Sequence, residues 1–453
     1  MDSPIREIAE SIRGRNVSPV ELTKQCLERI EKLNPVLNVF ITVTAESSLD
    51  CAKAAEIEIQ QGKWRGPLHG IPIALKDMID TASVVTTAGS ALFQHRIPAT
   101  DAEVVRRLKQ AGAIVLGKQN LHEFAYGGSS MISFFGEVRN PWNPAHIAGG
   151  SSGGSAGAVA AEMCLAGVGT DTAGSIREPA ALCGIVGLKP TFGRVSTQGV
   201  IPLAPSLDHV GPLTRTVEDA AIVLQAIAVP GSGEESVPDF SARLRNPISE
   251  TRIGVPREFF YEDLDPEVAA AIEEAISVLQ RLGGTVHELE VPVPTDRTLQ
   301  SAESYAVHAG NVARSPELYQ PETLRRIRTG EKITSNEVQR CRRELAAIRA
   351  SIQSVFEKVD VLVTPTTPIP APMIAELKQN PDLLRPREIL LLRNTRPANV
   401  WGLPAISVPC GSTRTGLPIA LQIIGAPWDE LRVLQVGWAY EQATEWHQRQ
   451  FPA

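Results

Sequence analysis

Three short stretches hold the side chains with chemistry to offer. "AGGSSGGSAG" at 148–157 carries Ser151 and Ser152, "GTDTAGSIREPA" at 169–180 carries Ser175, and "LHGIPIALKD" at 68–77 carries Lys76. A serine hydroxyl is a poor nucleophile at neutral pH until a base takes its proton. None of the eight histidines falls in either serine stretch. Lys76 ends an apolar, strand-like run. A free lysine, with a pKa near 10.4, is almost wholly protonated at pH 7, but burial without a counter-charge lowers that value by up to ~3–5 units. Taken alone, Lys76 reads more simply as a side chain snorkelling to Asp77 or solvent. The small residues around Ser175 would let several backbone N–H groups converge on one point, which is what an oxyanion hole needs.

The Gly/Ser run admits several readings. It has no lysine to serve as a phosphate loop, and the dinucleotide spacing G-x-G-x-x-G is not met. Gly150 to Gly154 satisfies G-x-S-x-G, the nucleophile elbow, but that motif needs a strand directly before it. The preceding "RNPWNPAHIA", with two prolines and two asparagines, predicts none.

The elements that must position these groups follow from periodicity. "SPVELTKQCLERIEKLNP" predicts a helix with Ser18 as cap, Pro19 at its first position and Glu21 closing a capping box. "DAEVVRRLKQAG" predicts a second helix capped by Asp101, followed by the buried strand "AIVLG". "DPEVAAAIEEAISVLQRLGG" repeats that grammar from Asp265, and the last helix starts at Asp429. "TVHELEVPV", "VDVLVTPTTP" and "GLPIALQIIG" predict strands. Residues 156–169, apolar but interrupted by Glu162, read as a buried helix rather than a membrane span. Helix-then-strand alternation over 453 residues indicates an α/β protein with helices covering a sheet. The segment 230–350 is more polar, and reads as solvated helices or as a helical insertion or lid.

Composition narrows the function classes. Hydrophobic residues make up 43% and charged residues 21%, an ordinary globular balance. A net charge of -7 gives no general attraction to nucleic acid or anionic lipid. The acidic N-terminal stretch "MDSPIREIAESIRG" is unlike a signal peptide, so a cytoplasmic location is expected. Six scattered cysteines without a close pair fit reduced structural thiols, and no His/Cys/Asp cluster has metal-ligand spacing.

Taken together and in order, "GPLHGIPIALKD", "GGSSGGSAGAVAA" and "GTDTAGSIREPAALCGIVGLKPTFGRVS" resemble the amidase signature family. The likeness is densest over 64–226 and resumes over 359–447, through "VDVLVTPTTPIPAP", "PANVWGLPAISVPCG" and "GLPIALQIIG". It implies one amidase-signature domain over 1–453, with a central mixed, twisted sheet between helices. It also implies a triad: Ser175 as nucleophile, Ser151 in a cis peptide relaying the proton, and Lys76 as base, with no cofactor and no metal. Backbone N–H groups of Thr172, Ala173, Gly174 and Ser175 would form the oxyanion hole. Asp171 and Arg177 would brace that turn, and Ser152 would hydrogen-bond within the triad. One departure is Ala173, where the family often has glycine.

The resemblance implies a small-molecule amide substrate for a monomer or homodimer, with no direct contact to nucleic acid or membrane. Gly127, Gly128 and Ser129 belong to a segment that approaches substrate in relatives. With Tyr126, Phe134 and the neighbouring Phe124, Met131, Phe135 and Trp142, they suggest hydrophobic or aryl amides, with ester or carbamate side activity. The alternative is the ammonia-releasing glutaminase component of a tRNA-dependent amidotransferase, which needs a partner. Against it, that component carries an acidic residue three positions before the threonine matched by Thr395, and Leu392 stands there. A non-enzymatic member of the family is a third reading, disfavoured by the intact Lys76, Ser151 and Ser175.

Overall fold

Thirteen short strands, most of those in the central sheet fully buried, are found in the computed structural model, which describes residues 3–452. In chain order they are β1 Phe40–Val43, β2 Pro72–Lys76, β3 Ile114–Gln119, β4 Arg139–Asn140, β5 Asn143–Ile147, β6 Ala166–Asp171 and β7 Val186–Lys189. Then follow β8 His209–Thr214, β9 Arg252–Val255, β10 Thr285–Glu288, β11 Val361–Pro365, β12 Ala405–Ser412 and β13 Pro418–Gly425. Eleven of them make one mixed sheet in the order β1-β3-β2-β6-β8-β7-β12-β13-β11-β9-β10, while β4 and β5 pair separately. Alternation puts successive side chains on opposite faces. Ile73 and Leu75 of β2 therefore enter one apolar cluster and Ala74 enters another. Helices cover both faces.

The parallel pair β2 and β6 is central to the site. It runs in register Ile73–Ala166, Ala74–Gly167 and Leu75–Val168. Lys76 and residues 169–171 therefore emerge side by side at the carboxyl ends of neighbouring buried strands.

Several expectations need correction. The apolar run at 156–169 is not one helix: the helix Gly153–Ala160 stops, and the chain re-enters the sheet as β6. A strand, β5, does precede the Gly/Ser run, but it belongs to the small hairpin and not to the central sheet. Asp101 does not cap its helix, which starts at Glu103; its carboxylate accepts from Ala82 N–H and pairs with Lys109. Ser18 caps as expected, its hydroxyl accepting from Val20 and Glu21 N–H, yet no reciprocal capping box closes, and the Glu21 carboxylate pairs with Lys24. Asp265 and Asp429 cap as read. The range 230–350 is mixed: β9, the helix Pro266–Arg281 and β10 belong to the sheet edge, and only Thr298–Ser351 forms a separate helical layer. No helix among the described residues is long and apolar enough to cross a membrane. All six cysteines are free thiols, and only Cys51 is exposed.

Candidate active site

Lys76 is wholly buried at the end of β2. Its Nζ lies 2.7 Å from Ser151 Oγ and 2.8 Å from Thr170 Oγ1. Among the described residues no carboxylate forms an ion pair with it. Asp77, which a snorkelling Lys76 would reach for, pairs with Lys118 at 3.6 Å. Burial pushes the Lys76 amine down to about 7, and the more distant Asp171 and Asp208 pull it back only in part. A neutral amine keeps one lone pair and can take the Ser151 proton while an N–H remains on Thr170.

Ser151 follows a cis Gly150–Ser151 peptide. Its carbonyl accepts from His122 N–H at 3.2 Å and Ser130 Oγ at 3.3 Å, and Gly150 N–H donates to Glu178 at 2.7 Å. The glycines after it allow close approach. A Cβ on Gly154 would come within 2.3 Å of the Asn120 carbonyl oxygen. The two serine stretches are stitched together by Ser152 N–H, which donates to the Ser175 carbonyl at 3.2 Å. The Ser152 hydroxyl does not join the triad side chains; it donates to the Thr170 carbonyl at 3.2 Å and so holds the strand end that carries Thr170.

Asp171 organises the Ser175 turn. Its carboxylate accepts from Gly174 N–H at 2.7 Å, from Ile176 N–H at 3.2 Å and from the Arg177 guanidinium at 2.9 and 3.0 Å. Burial would raise this carboxyl, but Arg177 beside it holds it well below the usual carboxylate range. Arg177 also donates to the Thr395 carbonyl, Gln422 Oε1 and Asn399 Oδ1, at 2.6–2.7 Å. The expected brace is a web reaching two distant segments of chain.

The set of N–H groups expected to form an oxyanion hole narrows. Gly174 N–H is already given to Asp171, so it is not free for a ligand. The N–H groups of Thr172, Ala173 and Ser175 meet no acceptor among the described residues. Gly174 has φ +133°, and a Cβ there would lie 1.9 Å from Thr395 Oγ1. Ala173 stays outside the left-handed region, so alanine is tolerated.

The 126–130 segment runs alongside. A Cβ on Gly150 would lie 2.8 Å from Ser130 N and 3.0 Å from Ser129 N. Gly127 backs onto the His122 ring, and Ser129 Oγ donates to Glu388 at 2.6 Å. A Cβ on Gly128 or on Gly174 would lie 3.0 Å from a methyl carbon of Leu392, which thus borders both this segment and the 172–175 turn. The aromatic side chains largely turn away. Phe124 packs among Phe93, His308 and Tyr319, while Trp142 Nε1 donates to the Cys183 carbonyl. Phe134 is 46% exposed and stacks edge-on with Phe135. Tyr126 is buried, its carbonyl accepting from Arg326 at 2.6 Å.

Sequence reasoning did not find Thr170, Thr395, Asn399 or Gln422. For Thr170 a signal existed: alternation along β6 sends its side chain opposite to that of Asp171, toward the neighbouring strand end. Asp296, Cys341 and Glu344 also bring ligand atoms within 4.8 Å of one another, a grouping that spacing did not indicate. There the Cys341 thiol donates to Asp296 at 3.7 Å.

Comparisons with known proteins follow the same lines. The family model described as Amidase matches residues 21–434. The A subunit of glutamyl-tRNA(Gln) amidotransferase from Geobacter sp. (strain M21) is 39% identical, with 100% of this chain and 99% of the relative covered. The solved peptide amidase from Stenotrophomonas maltophilia superposes with a TM-score of 0.83 at 32% identity, covering 98% of this chain and 97% of that one. The A subunit of the Thermotoga maritima glutamyl-tRNA(Gln) amidotransferase superposes with a TM-score of 0.76 at 34% identity, covering 94% and 91%.

Proposed function

The chain belongs to the amidase signature family, and from that premise we propose that it is a serine amidohydrolase cleaving carboxamides through an acyl-enzyme. The observation that carries this reading is the buried Lys76 amine, 2.7 Å from Ser151 Oγ and without a carboxylate partner. Ser175 Oγ attacks the amide carbonyl; its proton passes to Ser151 as the Ser151 proton passes to Lys76. The N–H groups of Ala173 and Ser175, with Thr172, receive the developing oxyanion. The relay then returns a proton to the departing amine, and water releases the acid by the same steps.

A second reading has its own support. Relatives alike over the full length are amidotransferase A subunits, which favours a glutaminase supplying ammonia within a complex. Leu392 against the oxyanion turn speaks the other way, since an apolar side chain offers nothing to an α-ammonium group. The aryl or carbamate preference suggested by the aromatic segment loses the support of Phe124 and Trp142, whose rings pack elsewhere, and keeps that of the exposed Phe134.

The test is the purified chain alone, with Ser175→Ala beside it, on glutamine, an aliphatic amide and an anilide. Serine-dependent turnover of a simple amide supports the self-sufficient hydrolase. Slow ammonia release from glutamine alone supports the amidotransferase component. Turnover that survives in Ser175→Ala sinks the mechanism.

A further inference from the structure

The separate helical layer encloses a cavity of about 210 Å³ between the loop 294–296, the start of the helix Thr298–Arg314 and the helix Ser335–Ser351. Lys76, Ser151 and Ser175 do not line it. Asp296, Cys341 and Glu344 do, and their ligand atoms all lie within 4.8 Å of one another. Cys341 and Glu344 are three residues apart on one helix, which puts them on the same face. Asp296 comes from the loop and is already fixed. Its Oδ1 accepts from Thr298 N–H at 2.9 Å and from the Thr298 hydroxyl at 2.7 Å. That leaves Oδ2 for the Cys341 thiol, 3.7 Å away. A sulfur and an oxygen on one tetrahedral zinc ion, with bonds of about 2.3 and about 2.1 Å, stand about 3.6 Å apart.

A second observation points to a ligand. Gln300 lines the same cavity and is only 5% exposed, and its Oε1 meets no hydrogen-bond donor among the described residues. A buried amide oxygen without a partner is costly, and an ion or an ion-bound water in this cavity would satisfy it. The charges also balance. A thiolate and two carboxylates carry three negative charges. Arg396, which lines the cavity while donating to the Pro294 and Asp296 carbonyls, offsets one, and a divalent ion offsets the other two. Arg340 holds Glu344 at 2.8 and 3.0 Å, but both side chains are about half exposed, so that pair costs little to loosen. Asp296 and Glu344 are exposed, which gives an ion its way in.

We infer that Asp296, Cys341 and Glu344 bind a zinc ion, with Gln300 completing the site, and that the ion staples the helix Ser335–Ser351 to the start of the helix Thr298–Arg314. This site stands apart from the amidohydrolase reading and does not depend on it. On binding, the Cys341 thiol gives its proton to solvent and a sulfur lone pair to the metal. A thiolate among the ligands selects zinc over magnesium or calcium, which take oxygen ligands alone.

The experiment titrates cobalt(II), which occupies zinc sites and colours them, into the full chain, reduced and stripped with chelator. A single equivalent should bring up a thiolate-to-cobalt charge-transfer band together with the intense visible bands of a tetrahedral site, and zinc should then bleach both. Cys341→Ser should remove the charge-transfer band, whereas Cys51→Ser, at the exposed thiol, should leave it. Gln300→Leu and Glu344→Gln should each weaken zinc binding by roughly 10–100-fold in calorimetric titration. Zinc at about a hundredfold excess over its dissociation constant should raise the wild-type thermal midpoint by roughly 3 °C, and that of Glu344→Gln by much less. Absence of the cobalt bands in the wild type overturns the site. So does a charge-transfer band that follows Cys51, or a zinc affinity unchanged in Glu344→Gln. Glu344 is at the surface, so that variant decides the matter even if Cys341→Ser does not fold.

Discussion

At the scale of single residues, Lys76 makes the sharpest demand. It must be neutral to accept a proton, and burial brings its amine to about 7. The unprotonated fraction grows with pH, so kcat/KM should rise from pH 6 to 8 with a midpoint near 7, and a flat profile there would remove Lys76 as the base. Lys76→Arg, which stays charged, should lose roughly 10²–10⁴ in kcat/KM, although it keeps the positive charge. Ser151→Ala should cost a similar factor, because it deletes the relay while leaving the nucleophile. Gly174→Ala tests the turn: its methyl group would sit 1.9 Å from Thr395 Oγ1, so steady-state assays should show kcat falling. A variant with wild-type kcat would mean that the turn relaxes freely.

At the scale of elements, the strand ends and the Asp171 web decide how firmly those residues are held. Lys76, Ser151 and Ser175 were legible through the family resemblance of three short motifs taken together and in order, since Lys76 alone reads more simply as a snorkelling side chain. Asp171 and Arg177 were legible because they flank the same turn. The partners of Arg177 at 395, 399 and 422 were not, since contacts across more than 200 residues leave no local period. The aromatic segment was harder to read for a related reason. An aromatic near a site in sequence packs wherever a core is open, and Phe124 found one with His308 and Tyr319. Asp101 had the right residue type for a cap, but a closer demand from Ala82 N–H and Lys109 took it. The web carries its own expectation. Arg177→Met leaves Asp171 buried without its ion partner, which should cost about 3–5 kcal/mol in denaturant unfolding. A loss under about 1 kcal/mol would show that Asn399 and the turn N–H groups suffice.

At the scale of the whole molecule, the two ends of the described chain clasp one helix, Val217–Ile227, through buried carboxyls. Ile5 N–H donates to Asp219 at 2.7 Å, and Val217 N–H donates to Glu441 of the last helix at 2.9 Å. Burial raises Asp219 to about 7 and Glu441 to about 8, and the backbone N–H groups only partly offset it. Both values lie above those of an unfolded chain, near 4. Over that window the folded state therefore holds protons that the unfolded state releases. The stability from this pair is complete below about pH 4 and is lost as pH rises through 7 and 8. Lys76 has the opposite sign: its folded value of about 7 lies below its unfolded value, so its contribution improves between 7 and 10.5. Activity and the clasp thus pull apart around neutrality, the base gaining where the clasp loosens. Glu441→Gln isolates the clasp, because the amide still accepts from Val217 but never has to ionise. Its thermal midpoint should match the wild type at pH 5 and exceed it by roughly 3 °C at pH 9. A difference that stays constant across that range would mean the carboxyl does not titrate with folding, and the ends of the chain would then be held by packing alone.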